Sequence, residues 1–161
     1  MPASNSAELV LLRHGIAEPR QAGRDHPDRP LTAAGRQRTQ LVMAALVRRG
    51  LRLDRLLSSP YRRARQTAEL ALEAGLASRL VVEECLKPGG ALETLLSSVD
   101  GRLGLVGHEP DLGDLACMLL GCPPGGLLLK KAGVIQLHCS AGQWQLQTLL
   151  RPALLIEDLG C

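Results

Sequence analysis

The sequence predicts a single α/β domain, a sandwich with a mixed, mostly parallel central sheet flanked by helices. Three observations carry that prediction. Short apolar runs of strand length alternate with longer stretches of helical period along the chain. A length of 161 residues suits one domain, which can bury roughly two-thirds of its unfolded surface without a disulfide or metal staple. Three of the apolar runs end in small polar clusters, and α/β sheets gather their ligands at the carboxyl ends of strands.

The first run, Leu9–Leu12, is too short for anything but a buried strand, and it stops at Arg13-His14-Gly15. A polar loop with three prolines follows from Ile16 to Leu31. Thr32 offers an N-cap for a helix running to about Arg49, with Gly50 as its stop. Within it Leu41, Val42, Ala44, Ala45 and Leu46 keep the helical period. Leu53–Leu57 reads as a second strand ending at Ser58-Ser59-Pro60. Pro60 opens a helix that Ala64, Thr67, Ala68, Ala71 and Leu72 carry to about Ala74. A short strand, Leu80–Glu83, leads to the turn Lys87-Pro88-Gly89-Gly90, and Leu92–Val99 follows as a short helix. Leu103–Val106 is a buried strand ending at Gly107-His108-Glu109-Pro110. Asp111 to Leu120 is helical and closed by Gly121. Lys130–Cys139 and Gln143–Leu150 form an antiparallel pair joined through Ser140-Ala141-Gly142.

Composition narrows the function classes. The chain has 34 leucines, no phenylalanine, and only Tyr61 and Trp144 as large aromatics, which argues against a reader of single-stranded nucleic acid. A net charge of +3 is too weak to imply a nucleic-acid partner. Arginine outnumbers lysine 16 to 3, and guanidinium forks suit phosphate or carboxylate, although codon bias would raise Arg, Leu and Ala together in the same way. Five cysteines (Cys85, Cys117, Cys122, Cys139, Cys161) show no CxxC spacing and fit a reduced, intracellular protein. The N-terminus lacks the basic and apolar regions of a signal peptide, and no apolar run approaches a membrane span. The expected location is cytoplasmic, with no membrane partner.

If the three strands with polar ends are neighbours, Arg13, His14, Ser58 and His108 converge on one crevice, with Arg62, Arg63 and Arg65 on the helix beyond. Imidazoles and guanidiniums with few carboxylates suit an anion, most naturally a phosphoryl group. The plain alternatives are that an isolated Arg-His pair is structural and that three arginines at a helix start form a solvated face. His26 reads as a loop residue and His138 as a structural strand residue. A metal site from His14, His108 and Asp111 or Glu109 lacks HxH or HExxH spacing and is opposed by the local arginines, so no metal is expected.

Arg13-His14-Gly15 after the first strand resembles the signature of the histidine phosphatase superfamily, with its phosphoglycerate-mutase-like fold. Arg29-Pro30-Leu31-Thr32 with Gly35, Ser58-Ser59-Pro60-Tyr61 with Arg63-Ala64 and Gln66-Thr67, and Val106-Gly107-His108-Glu109-Pro110 narrow the resemblance to SixA-like phosphohistidine phosphatases. The match runs from about Leu9 to Leu150 and implies a histidine phosphatase domain over 8–152, with 1–7 and 153–161 as terminal extensions. It implies that His14 is the nucleophile, that Arg13 and Arg63 bind phosphoryl oxygens, and that His108 is the second pocket histidine. Arg62 and Arg65 do not match, and Ser58 or Ser59 would add a hydrogen bond. No cofactor is implied.

One absence bears on the substrate. Many members of the superfamily place a general-acid Glu just past a Leu after the third strand, whereas here Leu86 is followed by Lys87-Pro88-Gly89-Gly90. A poor alkoxide leaving group would lack its proton donor, while a phosphorylated imidazole needs less help. The expected activity is therefore hydrolysis of phosphohistidine on a partner protein, through a covalent phosphohistidine intermediate. Glu109 or His108 could still donate a proton. The alternatives are a small-molecule phosphomonoesterase or mutase of the same fold, and an inert phosphate-binding module.

Overall fold

A computed structural model describes residues 6–157. The N-terminal residues 1–5 and Cys161, both within the expected terminal extensions, lie outside them. Strands β1 (Ser6–Arg13), β2 (Arg55–Ser58), β3 (Leu80–Val82), β4 (Arg102–Gly107), β5 (Val134–Ser140) and β6 (Gln143–Leu150) form one sheet in the order β3-β2-β4-β1-β5-β6. The pairs β2·β3, β2·β4 and β1·β4 are parallel; β5 returns antiparallel to β1 and pairs with β6 through a two-residue turn. Ala141 and Gly142 hold that turn with φ of 51° and 77°, the left-handed geometry that matches the twist of the flanking strands. The mixed, largely parallel sheet is the one expected from the sequence.

Side-chain alternation along the strands divides the core between two faces. Val10, Leu12, Leu56 and Val106 pack with Val42, Met43 and Leu46 of α1 (Ala33–Arg48) and Ala64, Ala68 and Ala71 of α2 (Arg62–Glu73). Leu9, Leu11, Leu57, Leu103 and Leu105 face Leu112, Leu115 and Ala116 of α3 (Asp111–Leu120) and Leu86, Leu92 and Leu95 of two 3-10 helices, Glu84–Leu86 and Leu92–Ser98. Thr32 caps α1 as expected, accepting from the Gly35 N–H at 2.8 Å, and Gly121 closes α3 at φ 72°.

Several element ends differ from the sequence reading. β1 begins at Ser6 rather than Leu9, because Ser6, Ala7 and Glu8 pair with Ser140, Cys139 and His138 of β5, and a ladder needs no apolar side chain. β5 begins at Val134 rather than Lys130, because Lys130–Gly133 is a turn in which the Gly133 N–H donates to the Lys130 carbonyl at 2.7 Å. Leu92–Ser98 winds as a 3-10 helix instead of an α-helix. Residues read as extension include a helix, α4 (Pro152–Glu157), whose Leu155 is buried with the α1 side of the core. Among the described residues no helix is long and apolar enough to cross a membrane.

Candidate active site

The sheet order places β2, β4 and β1 side by side, so the residues after their carboxyl ends meet. The His14 N–H donates to the Gly107 carbonyl at 3.1 Å and the Ser59 N–H to the Val106 carbonyl at 2.9 Å, extending the ladder one step past the strands. A cleft of about 470 Å³ opens there, lined by Arg13, His14, Arg63, His108 and Glu109, with Asp25, Pro88 and Lys131 on its walls.

His14 is buried, and its Nδ1 lies 2.7 Å from the Gly15 carbonyl oxygen. A carbonyl can only accept, so Nδ1 carries the proton and Nε2 keeps the lone pair. Arg63 Nε donates to that Nε2 at 3.2 Å. Burial holds the His14 pKa down at about 3, with His108, Arg63 and Arg13 adding repulsion and the Gly15 carbonyl opposing it. The ring is therefore neutral at physiological pH, the state in which an imidazole can act as a nucleophile.

His108 stands 5.1 Å from His14 between ring centroids. Its Nδ1 is 3.3 Å from Arg63 Nη2, which has only protons to offer, so Nδ1 accepts and Nε2 donates to Ser59 Oγ at 2.8 Å. Burial, reinforced by Arg63, brings its pKa to about 4. Tyr61 closes this side, with its ring 5.3 Å from that of His108 and the Arg63 guanidinium 5.0 Å above its centroid.

Arg63 reaches the cleft because it occupies the inward face of the first turn of α2; it is 2% exposed, while Arg62 and Arg65 face solvent. Asp25 anchors it, with Oδ2 accepting from Arg63 Nη2 at 2.9 Å and Oδ1 from Arg29 at 2.7 Å. Burial pushes the Asp25 carboxyl up, but the bonds and charges of Arg29 and Arg63 outweigh it and hold it below the usual carboxylate range. Arg13 is fixed by Nη1 donating to the Leu129 carbonyl at 3.0 Å. Its Nε is buried without a partner among the described residues, an orphan donor of the kind an anion satisfies. The Gly15 N–H donates to Thr67 Oγ1 at 3.0 Å and Thr67 Oγ1 to the Arg63 carbonyl at 2.8 Å, tying the β1 loop to α2.

Of the residues expected at the site, Arg13, His14, Arg63 and His108 come together. Ser58 does not join them: its hydroxyl donates to the Ser59 carbonyl at 3.0 Å, and Ser59 is the serine that meets His108. Asp25 and Lys131 were not anticipated. The turn after Leu86 presents Pro88 to the cleft, while the exposed Lys87 lies 3.9 Å from Glu84. Glu109, which follows His108, is another carboxyl on the wall of the cleft. Burial pushes it up, against the Gly113 N–H that donates to its Oε1 at 2.6 Å. Among the described residues no cluster of three or more His, Cys, Asp or Glu is placed to hold a metal ion.

The family model of the histidine phosphatase superfamily (branch 1) matches residues 9–88, the stretch holding Arg13, His14 and Arg63. The chain belongs to this superfamily. A relative from Picosynechococcus sp. (strain ATCC 27264 / PCC 7002 / PR-6) is 42% identical over 149 residues, 88% of this chain and 90% of its own. The structure of a SixA from Agrobacterium tumefaciens, provisionally assigned as a phosphohistidine phosphatase, is 26% identical, with a TM-score of 0.77 over 91% of this chain and 98% of that one. The protein histidine phosphatase SixA complexed with tungstate shares the fold at 24% identity, with a TM-score of 0.79 over 92% and 99% of the two chains. So does a phosphoserine phosphatase mutant from Entamoeba histolytica, at 17% identity and a TM-score of 0.70 over 90% and 97%. Structures that share this fold thus include phosphatases named for different substrates.

Proposed function

We propose that the protein hydrolyses phosphohistidine on a partner protein through a phosphorylated His14. The observation that carries this reading is the fixed tautomer of His14, whose Nε2 lone pair faces Arg63 inside a cationic cleft. In the first step Nε2 attacks phosphorus as the P–N bond of the substrate breaks, and the leaving imidazole takes up a proton. In the second, water attacks phosphorus, phosphate departs and Nε2 regains its lone pair. Arg13 and Arg63 bind the phosphoryl oxygens, with His108 beside them, so the charge developing in transfer meets donors already in place. Pro88 in place of an acid on the wall of the cleft supports a leaving group that protonates readily.

Labelled phosphohistidine, quenched rapidly without acid, should trap a phosphoenzyme in the wild type and none in His14→Ala. Wild-type turnover by a folded variant lacking His14 would end this reading, and an absence of turnover on every phosphorylated substrate would favour the inert module. A small-molecule phosphomonoesterase is favoured by one observation, the Glu109 carboxyl in the cleft with its pKa raised by burial. Alkyl phosphate turnover lost in Glu109→Gln would support that second reading.

A further inference from the structure

Beside the cleft lies a second cavity of about 380 Å³ lined by Arg13, Arg38, Lys130, Lys131 and Arg151, with Ile16, Pro152 and Ala153 as its apolar part. Five cations and no carboxylate line it. Arg38, Lys130, Lys131 and Arg151 make no ion pair among the described residues. Arg13 and Lys131 line both cavities, so the two are adjacent. The lysines sit on a braced turn: Ala132, at φ 57°, donates its N–H to the Arg13 and His14 carbonyls, each at 3.1 Å, and Gly133 closes the turn onto the Lys130 carbonyl.

We infer that this shelf docks an acidic segment of the phosphorylated partner protein, placing carboxylates on Arg38, Lys130, Lys131 and Arg151 while the phosphoryl group enters the neighbouring cleft. The inference rests on the protein-substrate reading above. Unpaired like charges gathered on one surface are relieved by opposite charge on the partner, which also speeds and orients encounter. Burial and the charges of Arg13, Arg29 and Arg63 already hold the Lys131 ammonium below its usual range, so an added anion there is favoured. The shelf offers aliphatic contacts and no aromatic ring, since neither Tyr61 nor Trp144 lines it, and so it fits a peptide with acidic and small apolar side chains better than stacked bases.

The test compares three substrates on the full chain: a phosphohistidine peptide flanked by Glu, the same peptide with Gln for Glu, and phosphoramidate. The wild type should prefer the Glu peptide by about tenfold or more in kcat/KM at low salt, and the gap should shrink at high salt. Combined Arg38→Glu, Lys130→Glu and Arg151→Glu should erase the gap and leave phosphoramidate turnover within about twofold, because rim charges act on encounter rather than on chemistry. The milder Arg38→Gln, Lys130→Gln, Arg151→Gln variant should narrow the gap and serves if charge reversal prevents folding. Equal wild-type rates on the two peptides, a gap untouched by the substitutions, or loss of phosphoramidate turnover in the milder variant would overturn the inference. Anisotropy of a labelled, unphosphorylated Glu peptide keeps the two readings apart. Binding that the substitutions abolish supports the shelf even if no phosphohistidine is hydrolysed, and hydrolysis without binding leaves the enzyme reading and removes the shelf. An oligonucleotide bound as tightly, and lost in the same variants, would also overturn the acidic-peptide assignment.

Discussion

Three arginines stand within four positions at the start of α2, yet only the Arg63 guanidinium touches both histidines of the cleft. Arg63→Ala is expected to lower kcat/KM on phosphohistidine by on the order of 10²–10³-fold, the cost of removing one preorganised donor. Arg62→Ala and Arg65→Ala should change it by less than about twofold, since exposed charges make weak contributions. Steady-state kinetics on the three variants decides this, and equal losses would contradict the register of α2. The two histidines make a separate prediction about stability. Both have folded pKa values well below the ordinary 6.5, at about 3 for His14 and about 4 for His108, so between those values and 6.5 the unfolded chain binds more protons. Stability is therefore full above pH 6.5 and falls as acid is added, by at most about 1.4 kcal/mol per pH unit for each ring. Urea midpoints between pH 7 and about pH 4.5 should drop, and His14→Gln should flatten the slope by removing one of the two rings.

At the scale of elements, the loop after β1 presses against α1 so closely that a Cβ on Gly15 would run into Thr39 Oγ1, which is buried and donates to the Gly35 carbonyl. Gly15→Ala should cost about 1–3 kcal/mol by overpacking, read from urea unfolding. Adding Thr39→Ala should make the pair less damaging than the sum of the two changes, because it removes the atom in the way. The same loop shows what sequence alone made legible. Arg13, His14 and His108 were legible because each follows an apolar run, whereas the helix start left Arg62, Arg63 and Arg65 alike and only the family resemblance, through Arg63-Ala64, singled out Arg63. Asp25 and Lys131 come from irregular stretches whose course is set by tertiary bonds, such as Arg62 N–H to the Pro27 carbonyl at 2.9 Å, and no periodicity announces them. The choice between Ser58 and Ser59 turned on one residue of strand length. β2 ends at Ser58, so its side chain stays in the strand and Ser59 is the first to turn toward the cleft.

For the molecule as a whole, two of the cations lining the cleft, Arg13 and Arg63, are fixed by internal partners. EDTA should therefore leave turnover of phosphohistidine within about twofold, since in the proposed mechanism those guanidiniums supply the phosphoryl-oxygen charge that metal ions supply in kinases; loss of activity restored by one divalent metal would refute it. Rates should also fall steeply from phosphohistidine to aryl and then alkyl phosphates, because Pro88 stands on the wall where a proton donor is expected. A flat series with phosphoryl transfer rate-limiting would point to Glu109 or His108 as the missing donor. The strand order carries a further consequence, for synthesis on the ribosome. β1 is made first, but its two neighbours are β4 and β5, so Leu9–Leu12 has no sheet partner until β4 is made, and its second edge stays unpaired until β5 follows. A nascent chain that stops between α3 and β5 leaves one edge of this apolar strand open, a template for aggregation. In ribosome-stalled chains ending between α3 and β5, β1 should be more protease-sensitive than in the full chain, and its full protection should arrive together with the last hairpin.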